Sequence, residues 1–133
     1  MSLSSFFSKL GAPLKNQRWS WGGIRKEGSI VLRVWQDRKE KIDGKLFMII
    51  ANHERYKDNQ SNPGYKERIE HINKIKTGAK CYMVMCLAKS PDAFPREIKS
   101  YNKEDIFVGG ELLNKENKTY ISLEDRHPIS KIT

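Results

Sequence analysis

Cysteine is nearly absent from the chain, with only Cys81 and Cys86 in 133 residues. They lie five positions apart in a segment that reads as a strand, so their side chains point to opposite faces. That geometry excludes a mutual disulfide and a shared zinc, and leaves two packing thiols suited to a reducing, cytoplasmic compartment. Long apolar runs are also missing. The longest, Leu46 to Ala51, is far short of the roughly 18 residues a membrane-spanning helix needs and suits a buried strand. Residues 1 to 14 lack the basic start and continuous apolar stretch of a secretory signal, so export and membrane insertion are not expected. Gly22-Gly23 and Gly109-Gly110 lack the spacing and lysine of a phosphate-cradling loop, and no serine nucleophile elbow occurs. The three histidines, His53, His71 and His127, are scattered without metal-ligand spacing, so neither a metal nor a cofactor is expected.

What is present is positive charge. The formal net charge is +9, and residues 1 to 100 hold 20 Lys+Arg against 10 Asp+Glu, whereas residues 101 to 133 hold 5 against 6. A polyanionic partner follows from this surplus, because each neutralised phosphate releases condensed counterions. The competing explanation is that basic charge serves solubility alone.

The length and dense apolar blocks fit one domain over residues 1 to 133, with no repeat or dividing linker. Residues 1 to 14 form a helical segment, with apolar positions 3, 6, 7 and 10 and a stop at Gly11 and Pro13. From Trp19 to Asn52 the pattern predicts a three-stranded meander. Trp19 and Trp21 alternate about Ser20, and Ile30 to Gln36 alternates Ile30, Leu32 and Val34 against Val31, Arg33 and Trp35. Asp43-Gly44 then turns a hairpin into Lys45 to Asn52. A polar loop covers residues 53 to 64. Asn62-Pro63 opens a helix whose apolar face is Tyr65, Ile69, Ile72 and Ile75, and Gly78 closes it. Ala79 to Ala88 reads as a strand buried on both faces, and Pro91 and Pro95 bracket a connecting loop. Two short strands follow at 106 to 108 and 120 to 123, parted by Gly109-Gly110 and a turn at 114 to 118, and residues 125 to 133 trail off as a tail. The expected class is α+β: a curved, mostly antiparallel sheet or small pseudo-barrel with one or two helices.

Strands, then a helix ending Ile75-Lys76-Thr77-Gly78, then the strand at Lys80 to Ala88, resemble the PUA-like superfamily of small curved barrels. Its EVE, ASCH, YTH and SRA-type domains read bases in RNA or modified DNA. The stretches Asn16 to Gly22, Leu32 to Asp37 and Gly64 to Arg68 also look like modules found in front of HNH-type nucleases of bacterial restriction systems. The resemblance covers roughly residues 19 to 123. It implies a DNA-reading module, including the reading of a modified base, that works beside a nuclease in a restriction or defence setting. This chain carries no HNH signature, and no pocket residue is carried over from the family.

Taken by residue type, Trp19, Trp21 and Trp35 offer stacking faces beside Arg18, Arg25 and Arg33, a combination that suits an unstacked base, although large aromatics also fill cores. The polar loop and its flanks supply Asn52, His53, Arg55, Tyr56 and Lys57, side chains able to read base edges and hold phosphates, or equally to coat a solvated loop. Tyr65, Lys66 and Arg68 open the helix, whose free amides could seat a phosphate or whose charged face is ordinary amphipathicity. Phosphate contacts are thus expected from Arg18, Arg25, Arg33, Arg55, Lys57 and Arg68, with stacking by Trp19, Trp21, Trp35 or Tyr56. DNA is favoured over RNA. The alternatives are a small nuclease using Asp37, Glu54 or His53 with a divalent ion, and a protein-interaction domain with a tryptophan patch. The nucleic-acid reading requires the cations to converge around at least one accessible indole.

Overall fold

The computed structural model describes residues 1–94 and 96–133; Pro95, expected to bracket a loop, lies outside them. The fold is α+β, and the described residues form two α-helices and eight strands in one mostly antiparallel sheet. No helix among the described residues is long and apolar enough to cross a membrane.

The first helix, α1 (Leu3–Lys9), begins where Ser2 Oγ accepts the Ser5 amide and ends before Gly11, whose φ of 80° suits glycine. Its spacing buries Phe6 and Phe7, with Leu10 just beyond. The second, α2 (Pro63–Lys76), has Pro63 in the first turn and Asn62 Oδ1 accepting the Tyr65 amide. These are the start signals the sequence displays.

The strands are β1 (Gly22–Ile24), β2 (Ile30–Trp35), β3 (Lys39–Ile42), β4 (Lys45–Asn52), β5 (Cys81–Ala88), β6 (Ile98–Tyr101), β7 (Asp105–Lys115) and β8 (Lys118–Pro128). They pair in the order β1-β2-β5-β7-β8-β4-β3, with β6 beside the far half of β5. The sheet is not closed into a barrel.

The expected meander is corrected in two respects. Trp19 and Trp21 precede β1 and do not lie on a strand. Although β3 and β4 do form a hairpin, turning at Asp43 and Gly44 with φ of 52° and 81°, β2 is not their neighbour. It pairs antiparallel with β1 and parallel with β5. The physical reason is burial: Ile30 to Leu32 are apolar and buried on both faces, which demands a central position, and α2 lies in the crossover that a parallel pair requires.

The last two strands are longer than expected. Gly109 and Gly110 do not divide them but sit inside β7 at a register shift against β8. A Cβ on Gly110 would collide with Glu124 and one on Gly109 with Ile121, so these positions mark a bulge. Residues 125 to 128, expected in a tail, belong to β8, and the Ile129 amide donates to the Glu104 carbonyl at 2.9 Å.

Each sheet face carries its own core. Ile30, Leu32, Val34, Cys81, Met83 and Met85 face Ile72 and Ile75 of α2, while Val31, Tyr82, Val84 and Cys86 face Phe6, Phe7 and Leu10. The two cysteines therefore do lie on opposite faces, and burial pushes both thiols up to about 12. Met48 and Ile50 of β4 join the same core as Leu32 and Val34. The sheet thus curls until β4 approaches β2 across a gap that backbone pairing leaves open, and α2 covers that gap.

Candidate nucleic-acid interface

Arg68 of α2 spans the gap. Its guanidinium is buried and donates through Nη1 to the Ile50 carbonyl at 2.7 Å, and through Nη2 to the carbonyls of Arg33 at 2.8 Å and Trp21 at 2.9 Å. One side chain so ties β4, β2 and the segment before β1. Burial is the main reason its pKa falls to about 10, which leaves it charged at neutral pH. Its neighbour Glu67, also buried, accepts from the Trp21 amide at 3.3 Å and from Ser20 Oγ at 3.1 Å, and burial raises its pKa. Consecutive residues of α2 thus hold both the N–H and the C=O of Trp21. A Cβ on Gly64 would strike the Trp21 indole and the Trp19 carbonyl, so glycine lets the helix start press against the ring.

Beside this frame lies a cavity of about 280 Å³. Trp21, Trp35 and Tyr56 supply aromatic wall, with Phe94 at the margin, 63% exposed. Among the described residues six arginines line it: Arg18, Arg33, Arg38, Arg55, Arg68 and Arg96. No carboxylate is among the described lining residues. Just outside the cavity, Arg96 grips Asp37 bidentately at 2.6 and 2.8 Å and holds it below its ordinary pKa. Arg18, Arg33, Arg38 and Arg55 have no carboxylate within 4 Å among the described residues. Burial lowers the pKa of Arg38, and Arg96 adds repulsion to it. The site is therefore a concentration of positive charge with little local compensation.

The rings are held as well as clustered. Tyr56 stacks on Tyr65 at 4.7 Å and 11°, and tilts against Trp21 at 5.6 Å. The Arg33 and Arg96 guanidiniums sit over Trp35 at 5.4 and 5.3 Å, and Arg55 sits over Phe94 at 4.7 Å. Asn52 lines the cavity, but its Oδ1 takes the Arg55 amide at 3.2 Å.

Seven residues singled out from the sequence, Arg18, Trp21, Arg33, Trp35, Asn52, Arg55 and Tyr56, thus meet at one place. Arg68 meets them too, but both its terminal nitrogens donate to backbone carbonyls, and only its buried Nε is without a partner. Arg25 is elsewhere, its Nε donating to the Leu10 carbonyl at 2.9 Å and its Nη2 to that of Ile132, which clips the end of α1 to the C-terminal turn. Trp19 is half-buried and is not among the residues lining the cavity. His53 joins Tyr65 Oη and Thr119 Oγ1, each at 2.7 Å, so both His53 and Tyr65 fasten the polar loop to β8. Lys57 is exposed and paired with Glu54 at 2.7 Å.

Sequence reasoning missed Arg38, Phe94 and Arg96. Arg38 follows Asp37 in the charged stretch after β2, and Phe94 and Arg96 come from the loop between β5 and β6, so only the curl of the sheet brings them to the cavity.

No protein-family model, curated protein or solved structure matches this chain.

Proposed function

We propose that the chain is a nucleic-acid-binding module that takes one unstacked base between aromatic walls while guanidiniums hold the flanking phosphates. The ligand we favour is DNA, including DNA carrying a modified base, read beside a nuclease in a restriction or defence setting, as the resemblance to PUA-like domains implies. One observation carries the reading: a cavity with two indoles, a phenol and six arginines but no carboxylate among its described lining residues. Its volume suits a small planar group better than a bulky ligand. Flat rings and cations together match an unstacked nucleotide, whereas either alone would not.

The nuclease alternative gains no support from the arrangement. Asp37 binds Arg96, Glu54 binds Lys57 and Asn117, and His53 binds Tyr65 and Thr119, so each of the three candidate groups is already engaged by the fold. No cluster of three metal-ligating side chains occurs among the described residues. A protein-binding tryptophan patch would lie away from the basic surface, but Trp21 and Trp35 stand within it.

Fluorescence anisotropy with a labelled single-stranded oligonucleotide tests the proposal. With three or four unpaired guanidiniums engaged, log affinity should fall against log salt with a slope of about −2 to −3 on single strands. Trp21→Ala should weaken binding by about 1–3 kcal/mol. Arg25→Gln, away from the cavity, should leave the slope unchanged. Equal affinity at low and moderate salt, or a Trp21→Ala protein that folds and binds like the wild type, overturns it.

A further inference from the structure

Arg33 is the cavity residue whose chemistry is least accounted for by the fold. Its side chain is half-buried against Trp35, and none of the hydrogen bonds or ion pairs among the described residues uses its five N–H donors. Burial lowers its pKa, the sign of a charge held partly out of water without a carboxylate to offset it. A guanidinium so placed favours a ligand that brings two acceptors to its planar fork.

The surrounding wall has the opposite shortage. The carbonyls of Trp21, Arg33 and Ile50 each already accept from Arg68, and Asn52 Oδ1 accepts from the Arg55 amide. Among the described lining residues there is no carboxylate to receive a proton from a ligand. The cavity therefore offers many more donors than spare acceptors, with the Tyr56 hydroxyl as the side-chain acceptor not engaged among the described residues. An exocyclic amino group on the edge turned toward Arg33 faces other donors, and an unpaired buried donor is penalised more heavily than a missing bond.

Resting on the base-binding reading above, we propose that the cavity selects a base whose exposed edge presents two adjacent acceptors, as guanine does with O6 and N7, and that Arg33 reads that edge. Adenine and cytosine place an amino group on the corresponding edge and are disfavoured. Trp35, under the guanidinium, fixes the plane in which the fork lies. Arg68 acts as a positioning residue: by occupying the carbonyls it gives the wall its donor character.

The test uses DNA duplexes with one bulged nucleotide, guanine, adenine, cytosine, 7-deazaguanine or an abasic residue, since a bulge removes most of the difficulty of unstacking. Binding should favour guanine over adenine and cytosine by roughly five-fold to a hundred-fold. Replacing N7 with carbon should remove most of that preference. Arg33→Lys keeps the charge but loses the fork, and should weaken the guanine duplex more than the adenine, cytosine or abasic duplexes, levelling the three bases. If guanine, adenine and cytosine bind equally and all exceed the abasic duplex, a base enters the cavity but its edge is not read in this way. If the abasic duplex binds as tightly as guanine, the base-binding reading itself fails. If Arg33→Lys weakens every duplex alike, the abasic one included, Arg33 holds a phosphate and the proposal is wrong. The wild-type series decides the matter even if the variant does not fold.

Discussion

Arg68→Met removes the side chain that ties the two sides of the gap by hydrogen bonds. Three carbonyls lose a charged donor, those of Ile50, Arg33 and Trp21, at 2.7, 2.8 and 2.9 Å. A buried acceptor deprived of its partner costs about 1–3 kcal/mol, and Trp21 loses least, because its carbonyl keeps the Arg33 amide at 2.8 Å. The gross effect is thus about 2–6 kcal/mol. Against it stands the relief of a buried charge. Burial pulls the guanidinium to about 10 from an ordinary 12.5, and at 1.36 kcal/mol per unit that relief is on the order of 3 kcal/mol at most. Methionine also removes the unpartnered Nε. The lost bonds should win by about 2 kcal/mol, since they join β4 to β2, which no backbone ladder pairs. For a chain of this size that lowers Tm by about 8 °C. Urea and thermal unfolding give the magnitude, and near-ultraviolet circular dichroism follows the Trp21 environment. A variant at least as stable as the wild type, with its tryptophan signal unchanged, would refute the claim that Arg68 holds the gap.

Two further outcomes follow from the same frame. Gly64→Ala places a methyl group against the Trp21 indole and the Trp19 carbonyl; it should destabilise by about 1–3 kcal/mol, shift tryptophan emission and weaken oligonucleotide binding several-fold, and unaltered emission would count against the packing described. His71 is buried with Nδ1 unpartnered; burial first, then Arg68 and Lys74, bring its pKa down to about 4. The unfolded chain takes up that proton near 6.5, so between 6.5 and 4 it binds more protons than the native state, and stability falls as pH is lowered through that window. His71→Leu removes this contribution: any deficit it shows in urea midpoint at pH 7 should shrink at pH 4.5, and parallel midpoints at the two pH values would argue against a neutral buried His71.

The sequence was legible where a local rule acts alone. Asn62-Pro63 with the apolar face of α2, the Asp43-Gly44 hairpin, and β5 buried on both faces all follow from spacing and turn chemistry, and each stands where the pattern puts it. Pairing between distant strands was not legible, because alternation shows which face of β2 is apolar but not that β5 lies beside it. Trp19 and Trp21 mimic a strand by alternating about Ser20, yet Glu67 and Arg68, 46 and 47 residues on from Trp21, fix that segment from the helix side. Arginines were the least legible of all. Arg25, Arg33, Arg55 and Arg68 are alike in sequence, while the fold makes one a clip, one a half-buried donor, one an exposed rim charge and one a buried tie.

That division of labour among identical side chains separates stability from binding. Glu67 and Arg68 are adjacent on one helix, and their hydrogen bonds set where Trp21 stands, so the free energy that closes the gap is the same free energy that shapes the cavity. Arg18 and Arg55 are exposed, and neither side chain bonds another group of the described fold, although Arg55 lies over Phe94. Their charge repels its neighbours and is offset mainly by water and counterions, the condition under which an arriving phosphate gains most from counterion release. If the cavity binds nucleic acid as proposed, changes at the frame should alter folding and recognition together, while changes at these two rim arginines should alter recognition with little effect on the fold. Under the proposed function the gathering of six guanidiniums around a wall of rings has a use that charge serving only solubility would not require.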